Sequence, residues 1–445
     1  MGKVFRPYQP DQLLMLPPSM QEWLPADHAV YFVSDLVDSL DLSAILETYT
    51  EERGYPPYHP LMMTKLLLYG QVCGIRSSRK LELAAREHVA FRVLCAGNEP
   101  DFRTIAEFRK RHLEALGGLF VQVVRLCQRT GLAKLGYIAI DGTKVRASAN
   151  KHKAMSYRRM IDEEQRLKRE IRTMLEAAVA EDEAEDARYG RERRGDELPV
   201  ELAFRESRLK KIQEAKAALE EEERARQKAS SEDDDDLPPP VPKPKAQRNF
   251  TDPESRIMLD SDKAFVQAYN AQIAVDADSQ VILAADVVQE TNDRRQLVPM
   301  VQKVAGNTGA RPERVSADAG YWSDAAVGQV EAEGSTAYVA PKKIGHREWR
   351  ELAPAEDSEQ VDGSPRERMW HRLRTPEGRA EYDKRKISVE PAIGQIKTVQ
   401  GCRQFLLRGA QKVKGEWLLA CTGHNILKLF RAHQRKLAQI GTPAG

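Results

Sequence analysis

The chain has 445 residues, 31% charged and 41% hydrophobic, enough for two or three domains with cores of their own. No apolar run approaches the roughly 20 residues that cross a bilayer, which argues against a membrane protein. The net charge is only +2, but acids crowd residues 180–236 and bases crowd 76–111, 144–159 and 384–408, so the remainder is basic and favours a polyanionic partner.

The opening "MGKVFRPYQPDQ" lacks the apolar core of a secretion signal, and Arg6 breaks a myristoylation pattern. Residues 1–135 read as an all-helical domain. "HPLMMTKLLLYGQVCG" places Leu61, Lys65, Leu68 and Val72 at helical spacing. "RSSRKLELAAREHVAFRVLCAG" follows, with Ser77 or Ser78 as N-cap. "DFRTIAEFRKRHLEALGGLFVQVVRLCQRTG" offers Ile105, Phe108 and Leu113 as a buried face, with Arg103, Arg109, Lys110 and Arg111 beside it. Short helices with tight turns and a basic last member suit a helix-turn-helix type of DNA-binding module. A helical bundle with a solvated basic face is the plainer alternative.

Residues 136–145 form the first strand, and 146–229 interrupt its sheet. Two long charged helices there, with Leu167, Ile171 and Met174 on one seam and Leu209, Ile212 and Leu219 on the other, predict an antiparallel hairpin turned by "YGRERRGDELP". "SSEDDDDLPPPVPKPK", within an acidic linker at 230–249, is a tether with too little apolar surface to pack. "AFVQAYNAQIAVD" and "QVILAADVVQ" then alternate as hairpin strands, "DRRQLVPMVQKVAGNTG" is a helix and "RVSADAGYWS" a strand entering a turn. "DAAVGQVEAEG" is a helix closed by Gly334, and "TAYVAP" is a buried strand. "HREWRELAPAEDSEQVDGSPRERM" reads as loop, and "GRAEYDKRKISVEPAIGQIKTVQG" as a long helix that Pro391 kinks or enters. The order predicts an α/β core with a mixed sheet and helices on its faces, over 136–145 and 250–401, followed by a C-terminal helical segment at 402–445. Cys73, Cys95, Cys127, Cys402 and Cys421 form no C-x-x-C pair, which fits reduced thiols in a cytosol.

Asp141 ends the first strand in "GYIAIDGTKVRASANKHK" and runs into Lys144, Arg146, Lys151 and Lys153. A buried acid is costly without a cation against it, and the bases need an anion. Asp318 ends the fourth strand, so in a parallel pair both carboxylates emerge at the edge where open α/β sheets bind ligands. Glu390 shares a helical face with Lys386 and Lys397 and is the third acid. Three carboxylates suit Mg²⁺ or Mn²⁺ better than zinc. Singly, a strand-end Asp is more often a turn former, and Glu390 between lysines a surface ladder. Glu290, Asp293 and Asp324 read as a turn, a helix start and an N-cap.

"IAIDGTKVRASAN", "SADAGYWS" and "YDKRKISVEPAIGQIK" followed by "GCRQFLLRG" resemble the three acidic boxes of bacterial insertion-sequence DDE transposases, most nearly the group numbered eleven-eighty-two. "RPYQPDQLLMLPPSMQEWLPADH" and "FRTIAEFRKRH" resemble that group's helical N-terminal domain. The resemblance implies an RNase H-like core with Asp141, Asp318 and Glu390 as the catalytic and metal-ligating triad. It implies two metal ions about 3.5–4 Å apart, cutting element ends and joining them to target DNA. Tyr382, Glu390 and Lys397 match a Tyr, Arg, Glu, Lys signature, with Arg385 one position out of the usual spacing and Lys386 as its alternative. Lys144, Arg146, Lys386, Lys397, Arg403 and Arg408 are expected phosphate contacts, and Trp322 a base-stacking residue if the route passes through a hairpin. Reading of the terminal repeats falls to Arg103, Arg109 and Arg111 as the residues most exposed to that role. The partners implied are double-stranded DNA and a second copy of the chain, in a bacterial, nucleoid-associated setting. The rival readings are a silent DNA-binding scaffold and an RNase H-like nuclease that does not join ends.

Overall fold

The computed structural model describes residues 19–50, 57–189, 200–228, 241–260, 262–355 and 363–440. The hairpin turn from 190 onward, most of the acidic tether and the first eighteen residues lie outside these.

The N-terminal region is helical: α1 (Ala29–Asp38), α2 (Ser43–Leu46), α3 (Pro60–Val72), α4 (Ser78–Glu87), α5 (Val89–Leu94), α6 (Phe102–Arg111) and α7 (Leu113–Arg129). Two stretches expected to be single helices are each broken. His88 takes an extended conformation (ψ 120°) between α4 and α5, and His112 leaves the helical region between α6 and α7. Asp101 caps α6, its carboxylate accepting from the backbone N–H of Arg103 at 2.8 Å and Thr104 at 3.1 Å. The single apolar stripe expected on α3 is instead burial nearly all round, because Met63, Leu66, Leu67, Leu68 and Tyr69 are all covered.

The sheet begins with β1 (Tyr137–Arg146), then passes through β2 (Ala154–Ser156), α8 (Tyr157–Tyr189), α9 (Val200–Lys228) and β3 (Gln247–Asn249) before β4 (Arg256–Leu259). Helices α8 and α9 pack as the expected hairpin on Met160, Leu167, Ile212 and Leu219, and β2 pairs with β3 at its base. Three short strands, β2, β3 and β4, carried too few alternating residues to be read from sequence. The main sheet continues with β5 (Phe265–Asp276), β6 (Ile282–Val288), α10 (Leu297–Thr308), β7 (Arg314–Ala317), α11 (Asp324–Ala332) and β8 (Thr336–Val339). β5 lies antiparallel to β1 on one edge and to β4 and β6 on the other, while β7 and β8 follow β1 in parallel.

Beyond the sheet come α12 (His346–Glu351), α13 (Pro365–Arg374), α14 (Pro376–Gly394) with a π-turn at Gln395–Val399, and α15 (Ala410–Ile440). The region 346–369, expected as loop, thus holds α12 and the first half of α13, the latter opened by a capping box in which Ser364 and Glu367 satisfy each other's backbone N–H. Pro391 does not break α14. It has no N–H for the carbonyl of Ile387, and the Gln280 side chain donates to that oxygen at 3.0 Å instead.

The boundaries expected near 135 and 402 fall inside one continuous apolar core. It runs from Val33 and Leu66 through Phe120 and Val123 to Ile138, Ile140 and Ile273, and on to Trp417 and Ile426 of α15. Helix α15 joins the halves, packing on α3, α7 and β6.

Candidate active site

Register places the first two acids. The parallel pairing of β1 with β7 ends at Ile140 opposite Ala317, so Asp141 and Asp318 are the next positions on adjacent strands. Asp141 does not end its strand as expected. β1 runs on to Arg146 against β5, and only its β7 side is open from 141 onward. That gap is where the chain turns at Asp318, whose carboxylate accepts from the N–H of Gly320 at 2.8 Å.

Burial pushes the Asp141 carboxyl up to about 7; Asp318 and Asp293 push the same way, against Arg385 and the Gly142 N–H. Asp293 was read from sequence as a helix start, yet its carboxylate accepts from Asn270 at 2.6 Å and Gln272 at 2.7 Å, both on β5. Lys144 stands 3.6 Å from the same oxygen. Two glycines make room for this approach. A Cβ at Gly142 would strike Gln272 Nε2 and lie 2.8 Å from Asp293 Oδ1; one at Gly320 would lie 3.0 Å from Asp318 Oδ1 and 3.7 Å from Asp293 Oδ2. The sequence signal for Asp293 was faint: an acid in the loop after a strand whose partner strand carries two inward amides.

Helix α14 crosses β8, β7, β1 and β5 and brings Arg385 to Asp141, Nη1 to Oδ2 at 3.3 Å. Burial disfavours the Arg385 charge, but Asp141, Tyr382, Asp318 and Glu390 outweigh it, in that order, and the guanidinium holds its proton more tightly than usual. Of the three sequence-predicted acids, Asp141 is the one that forms an ion pair with Arg385. Glu390 itself is exposed, and Asp141 meets Arg385 first. Of the two residues weighed for the signature arginine, Arg385 is the one that reaches the carboxylates. Lys386 lines an adjoining cavity of about 460 Å³ with Asp318, Tyr382 and Lys342.

Carboxylate oxygens are the ligands that Mg²⁺ and Mn²⁺ prefer, and a buried Asp141 with Asp318 and Asp293 beside it fits such a cation by donor chemistry. In this conformation Arg385 supplies the positive charge. Among the described residues no group of three or more carboxylates, imidazoles or thiolates is placed to enclose an ion.

The remaining expected residues divide. Arg146, Lys397, Arg403 and Arg408 gather where β1 meets the 401–408 loop, with Arg146 paired to Asp260 at 3.1 Å and Arg408 donating to Ser148 O at 2.8 Å. Burial and neighbouring Arg403 both lower the Lys397 pKa. Arg103 and Arg111 are exposed, the latter donating to Thr48 O at 2.8 Å over the Tyr49 ring. Arg109, expected to be exposed, is buried: it donates to Arg76 O at 2.9 Å and Ser78 Oγ at 3.3 Å, and so holds α6 to the start of α4. Trp322, weighed as a stacking residue, is buried in the core beneath the sheet edge and presents no free face to a base.

Comparison with known families adds sequence relationships to this geometry. A family described as "Transposase domain (DUF772)" matches residues 18–111, and one described as "Transposase DDE domain" matches residues 357–430. Together the two matches support an insertion-sequence DDE transposase. The first match spans α1 to α6, with Arg103 and Arg111. The second spans α14, with Tyr382, Arg385, Glu390 and Lys397, and excludes Asp141 and Asp318. Neither curated proteins nor solved structures give a significant match to the transposase. Among its described residues no helix is long and apolar enough to cross a membrane.

Proposed function

We propose that this transposase, of the insertion-sequence group numbered eleven-eighty-two, has an RNase H-like core that cuts the ends of its element and joins them to target DNA. Asp141, Asp318 and Glu390 carry the chemistry. The observation that supports this reading best is the Asp141–Arg385 ion pair at the open end of a parallel strand pair, with Asp318 at the next position on the neighbouring strand. When bound, Mg²⁺ or Mn²⁺ supplies charge that stabilises the reacting phosphate and activates the attacking water or 3′-hydroxyl.

The three carboxylates hold that charge, and Asp141 must lose its proton to do so. Arg385 neutralises them in the free enzyme and turns to the scissile phosphate when DNA is bound, a role suited to a guanidinium fork. Lys342 and Lys386, in the cavity beside Asp318, hold the strand that enters there. Lys397, Arg403, Arg408 and Arg146 hold the duplex farther along β1. No side-chain nucleophile is required, since hydrolysis and joining differ only in which oxygen attacks. Two ends must react together, so the working form is a dimer.

A labelled duplex carrying the inverted repeats that flank the reading frame, incubated with the protein and Mg²⁺, tests this. Joined products support the proposal; cut ends alone indicate a nuclease, and bound but intact DNA a scaffold. Asp141→Ala and Glu390→Gln should each bind the duplex and leave it uncut. If Glu390→Gln cuts normally while Asp293→Asn does not, the third acid is Asp293.

A further inference from the structure

The loop 289–295 after β6 faces two ways. Asn270 Nδ2 donates to the carbonyl of Glu290 at 3.2 Å and to Asp293, which turns Asp293 toward the other acids. The next two residues, Arg294 and Arg295, are exposed and line a cleft of about 660 Å³ whose opposite wall is α9 of the helical hairpin. Among the described residues no carboxylate pairs with either. The cleft is held open by a polar tie. Glu222 on α9 accepts from Arg248 and Arg256, each at 2.7 Å, and Arg256 also donates to Gln289 at 3.1 Å. Glu222 is thereby spent. Arg226, one helical turn on, lines the same wall and pairs with Glu223 at 2.9 Å. Arg226, Arg256, Arg294 and Arg295 line the cleft with Glu222 and Glu290; Glu222 and Glu223 are committed to the other arginines, so Arg294 and Arg295 leave unmet positive charge within two residues of Asp293.

We propose that this cleft binds the phosphodiester backbone beside the reacting phosphate, so that the helical insertion forms one wall of the DNA channel. The proposal rests on the transposase reading above, which supplies the polyanion. Guanidinium forks match phosphate geometry and bind it without reading sequence. Paired facing arginines repel each other until an anion lies between them, and Arg294 and Arg295 follow Asp293 directly in the chain.

Fluorescence anisotropy of the full chain on the inverted-repeat duplex, over a range of salt, tests it. Arg294→Ala/Arg295→Ala should weaken binding about tenfold near 0.15 M salt and reduce the slope of log affinity against log salt by about 2. Arg226→Ala should reduce the slope by about 1. Lys210→Ala/Lys211→Ala, which removes two exposed charges elsewhere on α9, should leave both quantities near wild type. Arg294→Lys/Arg295→Lys should restore the slope, which separates lost charge from lost fold. An unchanged slope in the double alanine variant, or a loss no greater than in the lysine control, overturns the proposal. Wild-type protein that cuts and joins beside such a result leaves the transposase reading intact. Wild-type protein that neither cuts nor joins defeats that reading, while the salt slopes still decide the cleft.

Discussion

Glu416→Ala should be among the most destabilising single substitutions in the chain. Glu416 on α15 is 4% exposed and Arg76, its partner from the α3–α4 turn, 6%, so water screens little of their attraction. The carboxylate also accepts from the backbone N–H groups of Leu406 and Leu407 at 3.0 Å. The guanidinium donates to Gly401 O at 2.8 Å and Gln404 O at 3.2 Å. One pair thus fastens the N-terminal helices, the 401–408 loop and α15 together. Removing one partner of a buried pair costs about 3–5 kcal/mol, chiefly because the other charge stays buried and unpaired. The two loop N–H groups lose their acceptor as well, so about 4 kcal/mol is the working value. Urea unfolding followed by tryptophan fluorescence measures it, because Trp417 is adjacent and fully buried. Arg76→Ala/Glu416→Ala should fall short of the summed single losses by at least about 2 kcal/mol. A Glu416→Ala loss under about 1 kcal/mol, or strict additivity in the double variant, would refute the reasoning.

Three further outcomes are expected. Burial depresses His424 to about 4, so between its ordinary 6.5 and 4 the unfolded chain takes up a proton the folded chain refuses. Stability present above 6.5 is lost as pH falls through that window, by about 3 kcal/mol, and a His424→Gln variant compared by unfolding at each pH should lose that much less. Gly142→Ala should abolish cleavage and cost about 1–3 kcal/mol, since its methyl displaces Gln272 and Asp293; a melting curve and a cleavage assay like those of wild type would contradict this. Gln280→Ala should cost about 0.5–1.5 kcal/mol by removing the donor to the exposed Ile387 carbonyl and the acceptor of Lys428, held at 2.7 Å, and hydrogen exchange should speed up around Pro391.

Much of this architecture could be read from local pattern. Alternation in "AFVQAYNAQIAVD" and "QVILAADVVQ" predicts β5 and β6, and the seams of α8 and α9 predict their pairing. Asp141 and Asp318 were visible because each follows a short apolar run that ends at a turn or a basic stretch. The misses are of another kind. His88 and His112 break helices whose apolar spacing continues through them, because the chain must turn to fit the core. Pro391 is tolerated because a distant glutamine replaces its missing donor.

Spacing along the chain therefore determined most of the long helices and strands and the apolar runs that lead into Asp141 and Asp318, since those properties depend on neighbours a few residues away. Packing alone decided that Asp293 joins the acids, that Arg385 rather than Lys386 meets them, and that Arg109 and Trp322 are withdrawn from solvent. Those outcomes depend on partners many residues away along the chain. Only the register of β1 against β5 and β7, and the passage of α14 across them, brings those partners within reach.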